Sequence, residues 1–177
     1  MFRGPFNFLS NYELFPHPIL FKGISIPSVE HGYQMCKTPD DKDRLEISKH
    51  PLKGLKRFTK TFEFRSDWDQ VKLSIMYSLL ILKYSIPVFR TSLLNTGNAI
   101  LVEGNTWHDN FWGVEIDEEH SMTVDDAIPF CSPLCPSNHL GRMLMNIRDR
   151  IRCEDGIVNV ETTNVDGVLH NIKREKT

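Results

Sequence analysis

Glu30 and Lys37 frame the stretch of this chain that carries the most chemistry, Pro27-Ser-Val-Glu-His-Gly-Tyr-Gln-Met-Cys-Lys37. A carboxylate can stabilise developing positive charge or take a proton from water. A lysine amine can give a proton, hold an anion or attack a carbonyl-like carbon. In a helix, seven residues are nearly two turns, so both side chains share a face with Tyr33 and Gln34 between them. Opposite charges that serve only to steady a solvated helix sit three or four residues apart. Two turns instead leave a gap of roughly 10 Å along the axis, about the size of a sugar ring. A plainer reading, two unrelated charges on a helix whose other face is core, stays open on spacing alone.

A second block, Leu101-Val-Glu-Gly-Asn-Thr-Trp-His-Asp-Asn-Phe-Trp-Gly113, reads as a strand end followed by a loop presenting Glu103, Asn105, His108, Asp109 and Trp112. Loops held by a rigid frame often carry active-site groups. A tryptophan near carboxylates offers a flat face to a nucleobase or a cationic sugar. The plainer reading makes the tryptophans core anchors and Asp109 a turn former; it is preferred for Trp107 and left open for Trp112. His31 and His108 have no serine or cysteine at a motif spacing, which argues against a nucleophilic triad. The scattered glycines form no phosphate-binding fingerprint. Cys131 and Cys135, with His120 or His139 nearby, match no standard zinc spacing, so no metal and no cofactor are expected.

These groups need elements to hold them. Pro27 and Ser28 predict a helix start, with the Ser28 hydroxyl as cap, and the helix runs to Lys37. Before it, Ile19–Phe21 and Ile24–Ile26 flank Lys22-Gly23 as a small hairpin. A second helix is expected from Asp40 to Lys49, stopped by Pro51, and a basic stretch with Lys53, Lys56, Arg57 and Lys60 starts helical. Ser66-Asp67-Trp68-Asp69 has the form of a capping box. It opens a long helix whose buried face is Val71, Ile75, Met76, Leu79, Leu80 and Leu82. Pro87 restarts a short helix through Leu94, with Gly97 suited to its end. Residues 100–102 read as a brief strand, 115–126 as an acidic loop, and Pro129, Pro133 and Pro136 as a rigid non-helical connection. A last helix begins after Ser137 and Asn138, with Leu140, Met143, Leu144, Ile147 and Ile151 inward and Arg142, Arg148, Arg150 and Arg152 on the other face. In the tail, residues 157–160 and 168–172 are expected to pair as a weak hairpin.

The chain has 177 residues and a formal net charge of −2. That length supports one domain with a real core. Near-neutrality argues against wrapping long nucleic acid by charge alone, though not against gripping a single modified nucleotide. No apolar run is long enough to span a membrane, and Met1–Pro5 is no secretion signal. The expectation is a cytoplasmic protein with reduced cysteines, no membrane association and no obligate protein partner.

Taken in order, Phe8-Leu-Ser-Asn11, Pro27–Lys37, Asp67-Trp-Asp69, Leu93-Leu-Asn-Thr-Gly97, Asp109-Asn-Phe-Trp-Gly113 and Asn138-His-Leu-Gly-Arg-Met-Leu-Met145 resemble the NADAR family, also called YbiA-like N-glycosidases. The resemblance covers roughly residues 4–152. It departs at Tyr84, where a phenylalanine is usual after Lys83, and at an acidic, proline-rich insertion before Asn138. It implies an α+β, predominantly α-helical, single compact YbiA-like domain with short strands over residues 1–152, and a C-terminal extension over 153–177.

The implied activity is hydrolysis of the bond between ribose C1 and an amino nitrogen of a nucleobase-type substrate. Two substrates fit the resemblance: ADP-ribosylated guanine in DNA, and the phosphoribosylaminouracil intermediates of riboflavin biosynthesis. The resemblance makes Glu30, Lys37 and Asp109 the catalytic candidates. Glu30 would stabilise the sugar cation and take a proton from water. Lys37 would protonate the leaving nitrogen, hold the phosphate or form a Schiff base with ring-opened ribose. Asp109 would position a sugar hydroxyl or share the acid–base work. Asn11, Tyr33, Gln34, Trp112, Asn138 and Arg148 are the candidate substrate-binding residues. The expectation is that Glu30 and Lys37 meet the Asp109–Trp112 turn around one sugar-sized hollow. The competing reading is a non-catalytic module that binds ADP-ribose or a related nucleotide. The basic run from Lys53 to Lys60 leans gently toward DNA, although such runs are commonly solvated helix faces.

Overall fold

Ser28 starts the first helix as its hydroxyl predicts: Oγ accepts the backbone N–H of His31 at 3.3 Å. The computed structural model describes residues 2–116, 122–156, 161–163 and 169–171. In chain order, a 3-10 turn (Gly4–Leu9) precedes β1 (Leu14–Phe21), β2 (Ile24–Ser28), α1 (Val29–Met35), α2 (Asp41–Lys49), α3 (Leu55–Thr59), α4 (Trp68–Tyr84) and α5 (Pro87–Leu94). Then come β3 (Gly104–Asn105), β4 (Val114–Glu115), α6 (Val124–Ala127), a 3-10 turn (Ile128–Cys131), α7 (His139–Glu154), β5 (Glu161–Thr163) and β6 (Leu169–Asn171). The fold is α+β and predominantly helical, and its strands pair only two at a time. Among the described residues no single helix is long and apolar enough to cross a membrane. The chain sorts into two compact units, Leu9–Phe89 and Met1–Phe8 with Arg90–Thr177.

In the Leu9–Phe89 unit, β1 and β2 form the expected antiparallel hairpin, with Phe21 opposite Ile24 and Ile19 opposite Ile26. Lys22 and Gly23 both have positive φ, +50° and +79°, as a tight two-residue hairpin turn demands. The register shifts between Leu14 and Ile19, where Pro16 and Pro18 have no N–H to give the ladder. α1 packs on α4 so closely that a Cβ at Gly32 would lie 2.4 Å from Leu79 Cδ2. Only glycine permits that approach. α2 begins within a residue of the expected start, with Asp40 as its cap: the carboxylate accepts the N–H groups of Lys42 and Asp43.

Two expectations for α4 need correction. Its N-cap is Asp67, and no side chain caps it. The Asp67 carboxylate instead takes both arms of Arg65, at 2.5 and 2.8 Å, because a charge-assisted two-point pair outcompetes neutral N–H donors. The buried face is Ile75, Met76, Leu79, Leu80, Lys83 and Tyr84, with Val71 and Leu82 only half-buried. Lys83 is fully buried, its ammonium donating to the Ser10 carbonyl at 2.7 Å.

In the other unit, Asn138 organises the approach to α7. It adopts left-handed backbone, φ +57°, and is fully buried. Its amide accepts from Glu103 N–H at 3.0 Å and donates to the carbonyls of Leu101 and Phe130. Residues 100–102 are therefore not a strand; a side-chain amide satisfies backbone that a ladder would otherwise have paired. The N–H groups of Asn138, His139 and Leu140 donate to the carbonyls of Gly113, Phe111 and Trp112. The start of α7 thus meets the donor needs of a helix N-terminus with the loop it holds in place.

The inner stripe of α7 is Leu140, Leu144, Ile147 and Ile151, with Met143 half-buried. Arg148 and Arg152, expected on the outer face, are buried too. Arg148 donates to Thr96 Oγ1 and Ala99 O, and Arg152 to Asn98 Oδ1 and Gly97 O, so both guanidinia tie down the turn after α5. Within the acidic segment, residues 122–126 include the start of α6, built on a capping box between Thr123 and Asp126. Residues 117–121, the zinc candidate His120 among them, lie outside the described residues. So do residues 157–160, the first arm expected of the tail hairpin; an antiparallel pair forms instead between Glu161–Thr163 and Leu169–Asn171.

Candidate active site

Every residue of α1 is buried, including Glu30, His31, Tyr33 and Gln34. The helix was expected to have one core face and one open face. Polar groups inside a protein need partners, so each of these must be accounted for. His31 is satisfied structurally: its Nε2 donates to the His50 carbonyl at 2.9 Å and its Nδ1 takes the Ser28 hydroxyl at 2.7 Å. Burial lowers the affinity of this imidazole for a second proton. His31 is thus a neutral brace between α1 and the end of α2.

Glu30 is different. Only 4% exposed, it accepts the Gln34 amide at 2.7 Å on Oε1, and the Lys56 ammonium stands 4.0 Å from the same oxygen. Its backbone N–H donates to the Asn11 carbonyl at 2.9 Å, which ties the Ser10–Asn11 turn to the start of α1. Two buried acceptors nearby have no partner: Gln34 Oε1 and Asn11 Oδ1. Asn11 spends its amide nitrogen on the Met76 sulfur at 3.5 Å. Tyr12 lies under Lys56, whose ammonium is 5.4 Å from the ring centroid, and burial followed by the Glu30 charge holds the phenol above its usual range.

The helix stops at Met35, short of the expected Lys37, which follows the Cys36 cap with its N–H closing a tight turn onto the Gln34 carbonyl. Its own carbonyl accepts from Arg65 N–H at 2.7 Å, which brings the 64–68 segment alongside. The ammonium consequently sits among three rings, 5.3 Å from Tyr33, 5.6 Å from Phe64 and 5.7 Å from Trp68. Tyr33 and Trp68 meet edge to face at 4.9 Å, which fixes the walls. Burial pulls the Lys37 pKa down to about 8, against the opposing pull of Glu30 and with help from Lys56 and Lys60. The result is a desolvated amine with an enlarged neutral fraction at neutral pH.

The unit holding Met1–Phe8 and Arg90–Thr177 contains the remaining candidates. Asn105 is buried and laces the loop together, accepting from Asp109 N–H at 2.9 Å and donating to Asp109 O at 2.8 Å. Asp109 Oδ1 accepts the N–H groups of Phe111 and Trp112 at 3.2 and 2.9 Å, so one of its oxygens builds the turn. Trp112 is half-buried and set edge-on to Phe111, which leans on His139 at 4.3 Å. Trp107, expected as a core anchor, is 48% exposed. A cross-loop contact from His108 to Glu115 at 2.6 Å pulls that end of the loop outward. Asn138 spends its amide on the fold described above, and Arg148 gives one terminal nitrogen to it while its buried Nε has no hydrogen-bond partner.

The structure therefore brings Asn11, Glu30, Tyr33, Gln34 and Lys37 together in one unit and places Asp109, Trp112, Asn138 and Arg148 in the other. It adds Tyr12, Lys56, Phe64 and Trp68 around the first group. Of these, Trp68 lay in a motif noted in the sequence and Lys56 in the basic run, while Tyr12 and Phe64 were not singled out. Among the described residues no three His, Cys, Asp or Glu side chains converge as metal ligands, and the four cysteines are free thiols.

A predominantly helical fold with a buried acid on its first helix and a caged amine just beyond that helix's end defines a class, and comparison with known proteins gives it a name. The NADAR domain profile matches residues 2–152, and the chain belongs to that family. An N-glycosidase of Nostoc punctiforme is 31% identical over 156 residues, spanning 84% of this chain and 87% of that protein. N-glycosidase YbiA of Escherichia coli is 30% identical over 141 residues, 77% of this chain and 78% of its own. The maize protein named riboflavin biosynthesis protein PYRR, chloroplastic, is 30% identical over 140 residues, which are 71% of this chain but only 20% of that larger protein. The NMR structure of Escherichia coli YbiA superposes with a TM-score of 0.63 at 26% identity, covering 85% of this chain and 80% of that one.

Proposed function

We propose that this chain is an N-glycosidase that hydrolyses the bond between ribose C1 and an amino nitrogen of a nucleobase-type substrate. The observation that carries the reading is Glu30, a carboxylate buried on α1 beside two orphaned amide oxygens and a desolvated lysine. A helix buried only for stability has no use for such a set, since each unpartnered polar atom costs about 1–3 kcal/mol. Relatives named as N-glycosidases support the same class.

Glu30 stabilises the positive charge that develops at C1 as the bond to the ring oxygen breaks, that oxygen taking up a proton and leaving as a hydroxyl. When the ribose ring opens, C1 is held to the base nitrogen as an iminium. The neutral Lys37 Nζ adds to C1, and the base departs as its free amine, taking up a proton. One water then hydrolyses the C1–Nζ iminium, freeing the sugar aldehyde and restoring Lys37. Glu30 moves protons to and from these nitrogens and the attacking water. Gln34 orients Glu30 through its nitrogen and offers Oε1 to a sugar hydroxyl. Asn11 Oδ1 has the same use.

The substrate is either ADP-ribosylated guanine in DNA or a phosphoribosylaminouracil of riboflavin synthesis; the maize relative's name supports the second. The test is a side-by-side assay of both with the native chain and Glu30→Gln. Free base is expected from one or both substrates with the native chain and none with the variant, whose thermal midpoint stays unchanged. Binding of either compound without release of base would make the chain a nucleotide-binding module instead.

A further inference from the structure

The basic run from Lys53 to Lys60 reads from sequence as a solvated or DNA-following face. For Lys56 its placement adds a second use to that exposed face. α3 packs against α1, and Lys56 lies between the buried carboxylate and solvent: its side chain is 55% exposed, that of Glu30 5%. The separation of 4.0 Å from Glu30 Oε1 is longer than a hydrogen bond, and the close partner of that oxygen is the Gln34 amide at 2.7 Å. Lys60 follows four residues on, at the C-terminal end of α3, and so shares the face. Lys56 and Lys60 are also both near enough to Lys37 to disfavour its charged form. Lys56 thus sets an ammonium at the edge of the carboxylate, and an added anion relieves the repulsion it shares with Lys37.

We propose that Lys56, with Lys60, forms an anion subsite beside Glu30 that receives the phosphate on the 5′ carbon of the substrate's ribose. The assignment rests on the glycosidase reading for its ribose and adds the group that selects phosphorylated substrates. Gln34 Oε1, on a side chain only 2% exposed and without a donor, is the second mark of a ligand here: it awaits a hydroxyl next to the same carboxylate. A ribose 5-phosphate fits this order of groups, with a hydroxyl at Gln34, C1 toward Glu30 and Lys37, and phosphate at Lys56. Both candidate substrates carry phosphate at that carbon, one as a monoester and the other as a diphosphate.

Calorimetric titration with ribose, ribose 5-phosphate and ADP-ribose tests this on the native chain, Lys56→Gln and Lys60→Gln. The native chain is expected to bind at least one of the phosphorylated ligands about tenfold or more tighter than ribose, an advantage that added salt erodes. Lys56→Gln should lose about tenfold of that advantage, leave ribose binding unchanged and keep the native melting temperature. Loss with ribose 5-phosphate marks a monoester subsite, and loss with ADP-ribose alone a diphosphate one; either upholds the assignment. No phosphate advantage in the native chain, or full retention in Lys56→Gln, overturns it. Because no turnover is needed, a phosphate subsite in a chain that never releases base would sink the glycosidase reading and leave this one standing.

Discussion

Opening the cage around Lys37 at Phe64 should change when the enzyme works more than whether it works. With a pKa of about 8, Lys37 is about one-tenth neutral at pH 7, whereas a lysine at the ordinary 10.5 is neutral about once in three thousand molecules. Burial therefore enlarges the reactive form about 300-fold. Phe64 is 40% exposed, so Phe64→Ala removes a wall of the cage without hollowing the core. Two effects then compete. Losing one ring face removes about 0.5–1 kcal/mol of attraction for the ammonium, which lowers the pKa by about half a unit. Water entering the gap raises it, and since burial is the largest cause of the depression, the rise wins. A net upward move of about one pH unit follows. In the native chain kcat/KM should climb through a midpoint near pH 8 and level off; in Phe64→Ala the midpoint should lie near 9. The variant should be about five- to tenfold slower at pH 7 and equal to the native chain above pH 10. A profile measured from pH 6 to 10.5 decides the matter. A midpoint that stays put or falls, or a rate reduced equally at every pH, refutes the reasoning.

Other consequences concern stability. Asn138→Ala strands Glu103 N–H and the carbonyls of Leu101 and Phe130 and puts a Cβ-bearing residue without amide compensation at φ +57°. A loss of about 3–5 kcal/mol is expected, visible as a melting point lower by about 10 °C. Asp109→Ala should cost about 1–2 kcal/mol by denaturant titration, and Asp109→Asn much less, because asparagine still offers an acceptor to the Phe111 and Trp112 N–H groups. Lys83 has its pKa pulled down to about 7 by burial, so between there and the unfolded value of 10.5 the unfolded chain binds the extra proton. Stability therefore rises with pH across that window and is flat below it. Lys83 should add about 2 kcal/mol to the unfolding free energy from pH 7 to 9, a share that Lys83→Met removes, leaving the roughly 1 kcal/mol that Lys37 contributes over the same range.

What could be read from sequence was local. The Ser28 cap, the Lys22-Gly23 hairpin, the Asp40 start of α2 and the apolar stripe of α7 depend on neighbours within a few residues, and each stands where its residue types place it. The Glu30–Lys37 stretch was singled out for the same reason. Its all-round burial was not foreseeable, because Val-Glu-His-Gly-Tyr-Gln-Met has the composition of a half-exposed helix and only tertiary packing covers the polar side. The roles of Asn138, Arg148 and Arg152 depend on partners 35 to 55 residues away. Each such polar side chain looks, in sequence, like a surface or ligand-binding group. Lys56 is exposed, as a solvated face requires, but nothing in Lys-Gly-Leu-Lys-Arg-Phe says that its helix packs on α1 and brings its ammonium to 4.0 Å from Glu30.

Reduction during turnover tests the central claim most directly. Native chain is mixed with the substrate that it cleaves, borohydride is added within the first turnovers, and the proteolysed protein is weighed by mass spectrometry. The account predicts a sugar-derived mass on the peptide carrying Lys37, absent from Lys37→Ala and from native chain reduced without substrate. A trapped mass on another lysine, or steady release of base with no trapped mass anywhere, would contradict it.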